Sequence, residues 1–533
     1  TELLSNGQRI DGCETKVGLR TLKFDPNKGF ALNDNWMKVK GVCLHHDAGV
    51  LGAVVPPEVW ERRLNNLKEI GVNAIRMSHN PQAPVVYDLC DRLGLLIMDE
   101  ASDEWEFPKR KWVKGWNKGD PAYDGSFDFF EEWIEQDVTD MVRRDRNHPS
   151  IFMWSIGNEI KNKETAEIVD ICRELTGFVK TLDTTRPVTA GVNSIVDATD
   201  DFLAPLDVCG YNYCLNRYES DAKRHPDRII YASESYASQA YDYWKGVEDH
   251  SWVIGDFIWT AFDYIGEASI GWCGYPLDKR IFPWNHANCG DLNLSGERRP
   301  QSYLRETLWS DAPVSHIVVT PPVPSFPLNP DKADWSVWNF PDVVDHWNFP
   351  GYEGKKMTVS VYSNCEQVEL FLNGESLGKQ ENTADKKNTL VWEVPYAHGI
   401  LKAVSYNKGG EVGTATLESA GKVEKIRLSA DRTEIVADGN DLSYITLELV
   451  DSKGIRNQLA EELVAFSIEG DATIEGVGNA NPMSIESFVA NSRKTWRGSN
   501  LLVVRSGKSS GRIIVTATVK ALPVASITIT QKK

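Results

Sequence analysis

The stretch from residue 38 to residue 313 constrains this chain more than any other, because short apolar runs alternate there with helical stripes. Val39-Lys-Gly-Val-Cys-Leu44 predicts a first strand, and Trp60, Leu64 and Leu67 then mark a helix that stops at Gly71. Val72-Asn-Ala-Ile-Arg-Met77 predicts a second strand, 84–92 a helix ending before Gly94, and Leu95-Leu-Ile-Met98 a third strand. A long helix over 128–145 carries Phe130, Trp133 and Met141 on one side, and 151–156 reads as the fourth strand. Ile168, Ile171, Cys172, Leu175 and Phe178 mark the next helix; strands near 187–190, 207–211, 229–233 and 253–259 follow, and a helix near 300–309 closes the set. Eight strands alternating with helices predict a (β/α)8 TIM barrel, whose active sites form at the C-terminal strand ends.

With 533 residues the chain exceeds one ordinary domain. Residues 1–36 read as a remnant of an immunoglobulin-like β-sandwich: 18–24 is strand-like, and Asn33-Asp-Asn35 joins two further runs as a hairpin. This is too little for a sandwich, so its other strands are expected upstream of residue 1. The barrel is assigned to 37–313. Thr320-Pro-Pro-Val-Pro-Ser-Phe-Pro327 is a semi-rigid linker. Beyond it the pattern is purely β: Met357-Thr-Val-Ser-Val-Tyr362 alternates, and Val368-Glu-Leu-Phe-Leu372 runs into Asn373-Gly374, a hairpin signal. Tyr444-Ile-Thr-Leu-Glu-Leu-Val450 followed by Asp451-Ser-Lys-Gly454 repeats the logic. A β-sandwich over 314–420 and an immunoglobulin-like β-sandwich over 421–533 fit, neither with a catalytic cluster.

A net charge of −18 disfavours nucleic acid and anionic membranes as partners, and no apolar stretch has spanning length. Nine scattered cysteines without a Cys-x-x-Cys pair argue against zinc or a disulfide framework; Cys43 and Cys209 read as small core residues. The 18 tryptophans either stack on sugar faces or pack in cores. A chain opening Thr-Glu-Leu-Leu reads as processed or shortened.

The chemistry lies at strand ends. Ser150-Ile-Phe-Met-Trp-Ser-Ile-Gly-Asn-Glu159 closes the fourth strand on an amide and an acid, and Arg228-Ile-Ile-Tyr-Ala-Ser-Glu234 closes the seventh on another acid. Either acid alone would serve as a structural ion-pair partner. Together they form the pair that glycoside hydrolysis needs, one acid/base and one nucleophile. His45, Arg76, His79 and Trp259 also fall at strand ends.

Lys40-Gly-Val-Cys-Leu-His-His46, Asn73-Ala-Ile-Arg-Met-Ser-His-Asn-Pro81, Met98-Asp-Glu-Ala101, Arg146-Asn-His-Pro-Ser150 through Gly157-Asn-Glu159, and Phe257-Ile-Trp-Thr-Ala-Phe-Asp263 together resemble glycoside hydrolase family 2. The two β domains after the barrel are similar to those of its bacterial β-galactosidases. The resemblance implies a retaining exo-β-glycosidase in the periplasm or outside the cell, acting on an oligosaccharide or glycoside. It implies Glu159 as acid/base, Glu234 as nucleophile, Asn158 as the amide bonding the sugar 2-hydroxyl, and Arg76 as the cation that keeps Glu234 ionised. Tyr213 matches a tyrosine near the nucleophile, with Tyr211 its competitor. His45, His79 and Trp259 match sugar contacts. On the residues alone, Arg76 also reads as a barrel ion pair and His79 as a helix cap.

Some family members bind magnesium through a Glu-x-His pair. Here Asp103-Glu104-Trp105-Glu106 has glutamate in place of that histidine and reads as a solvated acidic loop, so no metal and no cofactor are expected. Ser235-Tyr-Ala-Ser238 lacks a histidine that some members carry after the nucleophile. The family usually has a sugar-binding jelly roll and a full sandwich before the barrel, so a longer chain is expected to turn over substrate better. β-Galactosidase leads. β-Glucuronidase is disfavoured because residues 261–290 hold no Asn-x-Lys motif, only Lys279-Arg280; β-mannosidase and a catalytically silent carbohydrate-binding protein are further alternatives. Oligomeric state is not fixed by the sequence.

Overall fold

The computed structural model of the protein describes residues 1–109, 125–268, 270–271, 283–326 and 337–533. Lys279, Arg280 and the linker's last proline lie outside these. Eight strands close a parallel barrel in chain order: Val39–Leu44, Ala74–Met77, Leu96–Glu100, Ile151–Asn158, Val188–Val192, Cys209–Asn212, Ile230–Tyr236 and Val253–Trp259. The fourth strand pairs with both the third and the fifth, as closure requires. Several strands run farther than their apolar runs predict. The third continues through Asp99 and Glu100 and the fourth through Gly157 and Asn158, every residue of both buried. Their polar ends find partners inside the barrel, so the ladder need not stop where hydrophobicity does.

Helices Pro57–Glu69, Pro84–Leu93, Phe130–Asp145, Ala166–Leu182 and Pro300–Trp309 sit where the periodicity places them. Proline in the first turn starts three of them, since its missing N–H has no intrahelical partner there anyway. Trp133 corrects one expectation. The buried stripe of its helix is Phe130, Ile134, Val138, Met141, Val142 and Asp145, and Trp133 falls off it, 47% exposed.

The chain divides into two compact units: Thr1–Cys43, Val72–Glu234 and Lys245–Phe257, and then Leu44–Gly71, Ser235–Trp244 and Ile258–Lys533. In the first, Leu22–Asp25, Gly29–Leu32 and Asn35–Met37 form a three-stranded sheet with the expected Asn33-Asp34 turn. The exposed hairpin Glu2–Ser5/Gln8–Gly12 turns at Asn6-Gly7, both at positive φ, a pairing the apolar pattern alone does not reveal. In the second unit, a three-stranded and a four-stranded sheet enclose one core around Trp347, Val359 and Leu370. A four-stranded and a five-stranded sheet enclose another around Ile445, Phe466 and Val515. The hairpin signal at Asn373-Gly374 joins Gln367–Leu372 to Glu375–Glu381. Most of the described tryptophans pack rather than face solvent: Trp60, Trp105, Trp154 and Trp347 are among the largest fully buried side chains. Among the described residues no helix is long and apolar enough to cross a membrane, and no two cysteines are bonded.

Candidate active site

Arg76 organises the polar end of the barrel in the first unit. It sits on the second strand with none of its side chain exposed. Its Nη1 donates to Glu234 Oε1 (2.7 Å) and to Ser233 O (3.0 Å). Nε and Nη2 form a fork on Glu100, at 2.8–3.0 Å, and Nη2 also donates to Asn158 Oδ1 (2.8 Å). A planar guanidinium is the one side chain that can fill this socket, because it offers five donors in fixed directions. The sequence reading left Arg76 as either an ion pair or the nucleophile's cation; it is paired with two carboxylates at once.

Glu100, within Met98-Asp-Glu-Ala101, is central to the cluster. It is fully buried and accepts from Arg76, from Ser155 Oγ (2.7 Å) and at His79 Nδ1 (2.6 Å). Burial alone would push its carboxyl up, but Arg76, His79 and Ser155 hold it below the ordinary value. His79 is therefore not a helix cap; the following helix is preceded by Ala83 and begins at Pro84. For Glu234 the balance falls the other way. Burial, with the charge of Glu159 adding to it, raises the carboxyl above its ordinary value despite the pull of Arg76 and His79. Arg76 pulls both buried carboxyls down, but at Glu234 burial outweighs that pull.

Asn212 is the second residue the sequence reading passed over. It ends the sixth strand, pairs in register with Glu234, and donates from Nδ2 to Asn158 Oδ1 (2.9 Å) and Glu159 Oε1 (3.2 Å). Ser233 Oγ donates back to its carbonyl oxygen. Asn212 thus links the ends of the fourth and seventh strands. The available signal was a polar residue closing an apolar strand, the same signal that singled out Glu159 and Glu234. Gly191 on the fifth strand makes room for this cluster, since a Cβ there would lie 2.6 Å from Arg76 Nη2.

Glu159 and Tyr213 each follow a strand end with left-handed backbone, φ 48° and 57°. Such conformations cost a non-glycine residue about 1–2 kcal/mol. Both are pinned by ladder-like bonds, Glu159 N–H to Gly191 O (2.7 Å) and Tyr213 N–H to Glu234 O (2.9 Å). The competitor Tyr211 is buried and donates its hydroxyl to Asp221 (2.8 Å) on the helix Tyr218–Arg224.

The Asp103–Glu106 stretch is not a solvated loop. Glu104 is buried and its Oε1 accepts the Lys109 backbone N–H (2.8 Å), while Asp103 Oδ1 carries the Lys109 ammonium and accepts from Asn158 Nδ2 (2.9 Å). Glu106 is half-buried, its carboxyl pushed up by burial and by Glu167 and Glu131. Of these oxygens, Glu104 Oε1 and Asp103 Oδ1 are taken by N–H donors. The group among the described residues spaced for a metal is Asp88, Asp91 and His148, and there His148 and the Ser150 N–H already hold Asp91.

His45 and Trp259 belong to the second unit. Both pack on Tyr264, the His45 ring stacked at 3.7 Å between centroids and Trp259 edge-on at 6.2 Å. Nearby, Asp47 is fixed by Arg63 (2.9 Å) and by the N–H groups of Gly49 and Ile265.

Residues 26–262 match the description "Glycosyl hydrolases family 2, TIM barrel domain", residues 426–528 match "Glycoside hydrolase family 2 C-terminal domain 5", and 354–413 a domain of unknown function. A crystal structure of a family 2 member from Bacteroides cellulosilyticus is 82% identical with a TM-score of 0.95, covering 100% of this chain and 67% of that one. The chain belongs to glycoside hydrolase family 2. Among its family 2 relatives, a beta-galactosidase of Bacteroides ovatus is 33% identical over 100% of this chain, and a putative beta-glucuronidase of Formosa agariphila is 30% identical over 91%. The chain spans 66% and 47% of the lengths of these two. A beta-glycosidase structure from Bacteroides vulgatus is similar at 28% identity and TM-score 0.82, covering 99% of this chain and 68% of that one.

Proposed function

We propose that this chain carries the catalytic site of a retaining exo-β-glycosidase, with terminal β-galactosides as its substrates. The observation that carries the reading is Asn212, whose backbone pairs in register with Glu234 and whose side-chain amide hydrogen-bonds Glu159, so that two acids from different strands meet at one residue. Glu234 attacks the anomeric carbon to form a glycosyl ester, while Glu159 gives its proton to the glycosidic oxygen and the aglycone leaves as an alcohol. Water then attacks the same carbon, Glu159 takes its proton, and Glu234 departs as carboxylate, so the anomeric configuration is retained. Arg76 makes a buried negative charge at Glu234 tolerable. Asn158 bonds the sugar 2-hydroxyl, and His79 and Tyr213 contact the sugar.

The beta-galactosidase relative, at 33% identity over the whole chain, favours galactose. A second reading, β-glucuronidase, is favoured by relatives carrying that name. Hydrolysis of aryl β-galactoside and aryl β-glucuronide by the chain and by Glu234→Gln separates them. Galactoside turnover abolished by the substitution supports the proposal. Turnover of the glucuronide alone keeps the mechanism and replaces the sugar. Turnover that survives Glu234→Gln removes Glu234 as nucleophile, and no turnover of either by this chain or by a longer one favours a silent carbohydrate-binding protein.

A further inference from the structure

We propose that Lys109 is the built-in cation of this site, its ammonium holding Asp103 so that Asp103 fixes the side-chain amide of Asn158. The inference rests on the glycosidase reading above and adds a positioning residue to it. The Lys109 side chain is only 6% exposed. A buried ammonium is costly unless paired, and this one is paired with Asp103 Oδ1. The Lys109 backbone is itself fastened, its N–H on Glu104 Oε1 (2.8 Å).

The consequence falls on Asn158. Asp103 Oδ1 accepts from Asn158 Nδ2 (2.9 Å), whereas Asn158 Oδ1 accepts from Arg76 Nη2 (2.8 Å) and Asn212 Nδ2 (2.9 Å). An ionised carboxylate only accepts, and those two partners only donate. The amide therefore has a single satisfied orientation, provided Asp103 stays ionised. Turned over, it would set its NH2 against two donors and its carbonyl against a carboxylate. Lys109 holds Asp103 Oδ1 in place and so fixes which face of Asn158 a sugar hydroxyl meets.

The same charge reaches the nucleophile. His79 Nε2 lies 3.9 Å from Asp103 Oδ1 and 3.8 Å from Glu234 Oε1, so the two carboxylates are within about 8 Å of each other. The charged and titratable groups facing Glu234 are Arg76, His79 and Glu159, with Glu100 and Cys43 behind Arg76. Removing Lys109 takes one positive charge out of that neighbourhood and disfavours the ionised Glu234 that the first step needs.

The test uses Lys109→Met, Lys109→Arg, Asp103→Asn and the Lys109→Met/Asp103→Asn double variant. Two readouts are taken: the titration midpoint of the Glu234 carboxyl, followed by NMR of carboxyl-labelled glutamate and assigned by its loss in Glu234→Gln, and kcat/KM on aryl β-galactoside against pH. Lys109→Met is expected to move the midpoint up by about one pH unit and to lower kcat/KM about tenfold on the acid limb, below that midpoint. Lys109→Arg restores both, and the double variant returns the midpoint. Asp103→Asn alone strands the ammonium and moves the midpoint down, so the sign is tested even if Lys109→Met does not fold. A midpoint unmoved in both folded single variants, or Lys109→Arg as damaging as Lys109→Met, overturns the proposal. Should the wild type hydrolyse no glycoside, the glycosidase reading falls, while the NMR midpoint still decides the role of the Lys109 charge.

Discussion

Gly191→Ala puts one methyl group into the centre of the polar cluster. Its Cβ would stand 2.6 Å from Arg76 Nη2, 2.9 Å from Asn158 Oδ1 and 3.0 Å from Asn212 Oδ1. The backbone does not object, for Gly191 is not among the residues at positive φ. The cost is therefore entirely in the three side chains, and none can swing away. Arg76 Nη2 is held by Glu100 and by Asn158, and Asn158 by Asp103 and Asn212. Overpacking a filled site costs about 1–3 kcal/mol. Pushing Nη2 aside forfeits at least one charge-assisted bond, about 1.5–3 kcal/mol more. If about 3 kcal/mol of this is felt in the transition state, kcat/KM falls by about 100-fold. Gly177 is the control. It lies exposed in the helix Ala166–Leu182 with nothing within 4 Å of a built Cβ. Gly177→Ala should raise stability by up to about 1 kcal/mol and leave kcat/KM alone. The assay is kcat/KM on an aryl β-galactoside, with the urea midpoint of each variant beside it. Gly191→Ala within threefold of wild type, at an unchanged midpoint, would mean that the cluster yields freely and that its rigidity has been misread.

The raised Glu234 carboxyl sets the acid limb of kcat/KM. Activity needs the ionised form, so it falls as pH drops through a value above the ordinary glutamate pKa of about 4.3; a limb at or below 4 contradicts the charge balance described here. Arg76→Met leaves Glu100 and Glu234 buried without their cation and should cost about 3–5 kcal/mol in stability and abolish measurable turnover. Arg76→Lys should not rescue it, since a point charge cannot fork onto Glu100 while reaching Glu234; near-normal activity of Arg76→Lys would be the contrary result. Glu306, bonded by His316 and Arg298, is held down to about 2. Its folded pKa lies below the unfolded one, so its contribution is present above about pH 4.5 and is lost as pH falls towards 2. Allowing for partial exposure, Glu306→Gln should lose about 1–2 kcal/mol at pH 6 and little at pH 2; an equal difference at both values would exclude this pairing as the cause.

The barrel was legible because its strands are buried on both faces and read as continuous apolar runs, while its helices show one stripe each. The two acids and Asn158 were legible because they end such runs. Strand ends were less so. Asp99 and Glu100 look like the start of a loop, but Arg76, His79 and Ser155 satisfy Glu100 inside the barrel. Asn212 hid between Tyr211 and Tyr213, where attention went to the rings. Lys109 hid for a different reason: its role depends on a contact with Asp103 that no periodicity encodes. Gly191 and Ser233 were invisible for the same cause, since each matters only through neighbours from other strands.

Counting charges in the first unit's cluster leads one step further. In the ion pairs of the described residues, Arg76 and Lys109 face Glu100, Asp103 and Glu234, two cations against three carboxylates when Glu234 is ionised, and Glu159 makes that charge less favourable still. This excess opposes ionisation of the resting nucleophile, yet it suits the reaction. An oxocarbenium-like transition state brings positive charge to the anomeric carbon, and the ester that follows removes the charge on Glu234 altogether. Both changes relieve the imbalance, so the cluster favours the transition state over the resting site. A neutral galactoside adds nothing to the account. A glucuronide would bring a second unbalanced carboxylate to a cluster already one charge short, and would need a cation from beyond these residues to be bound as well.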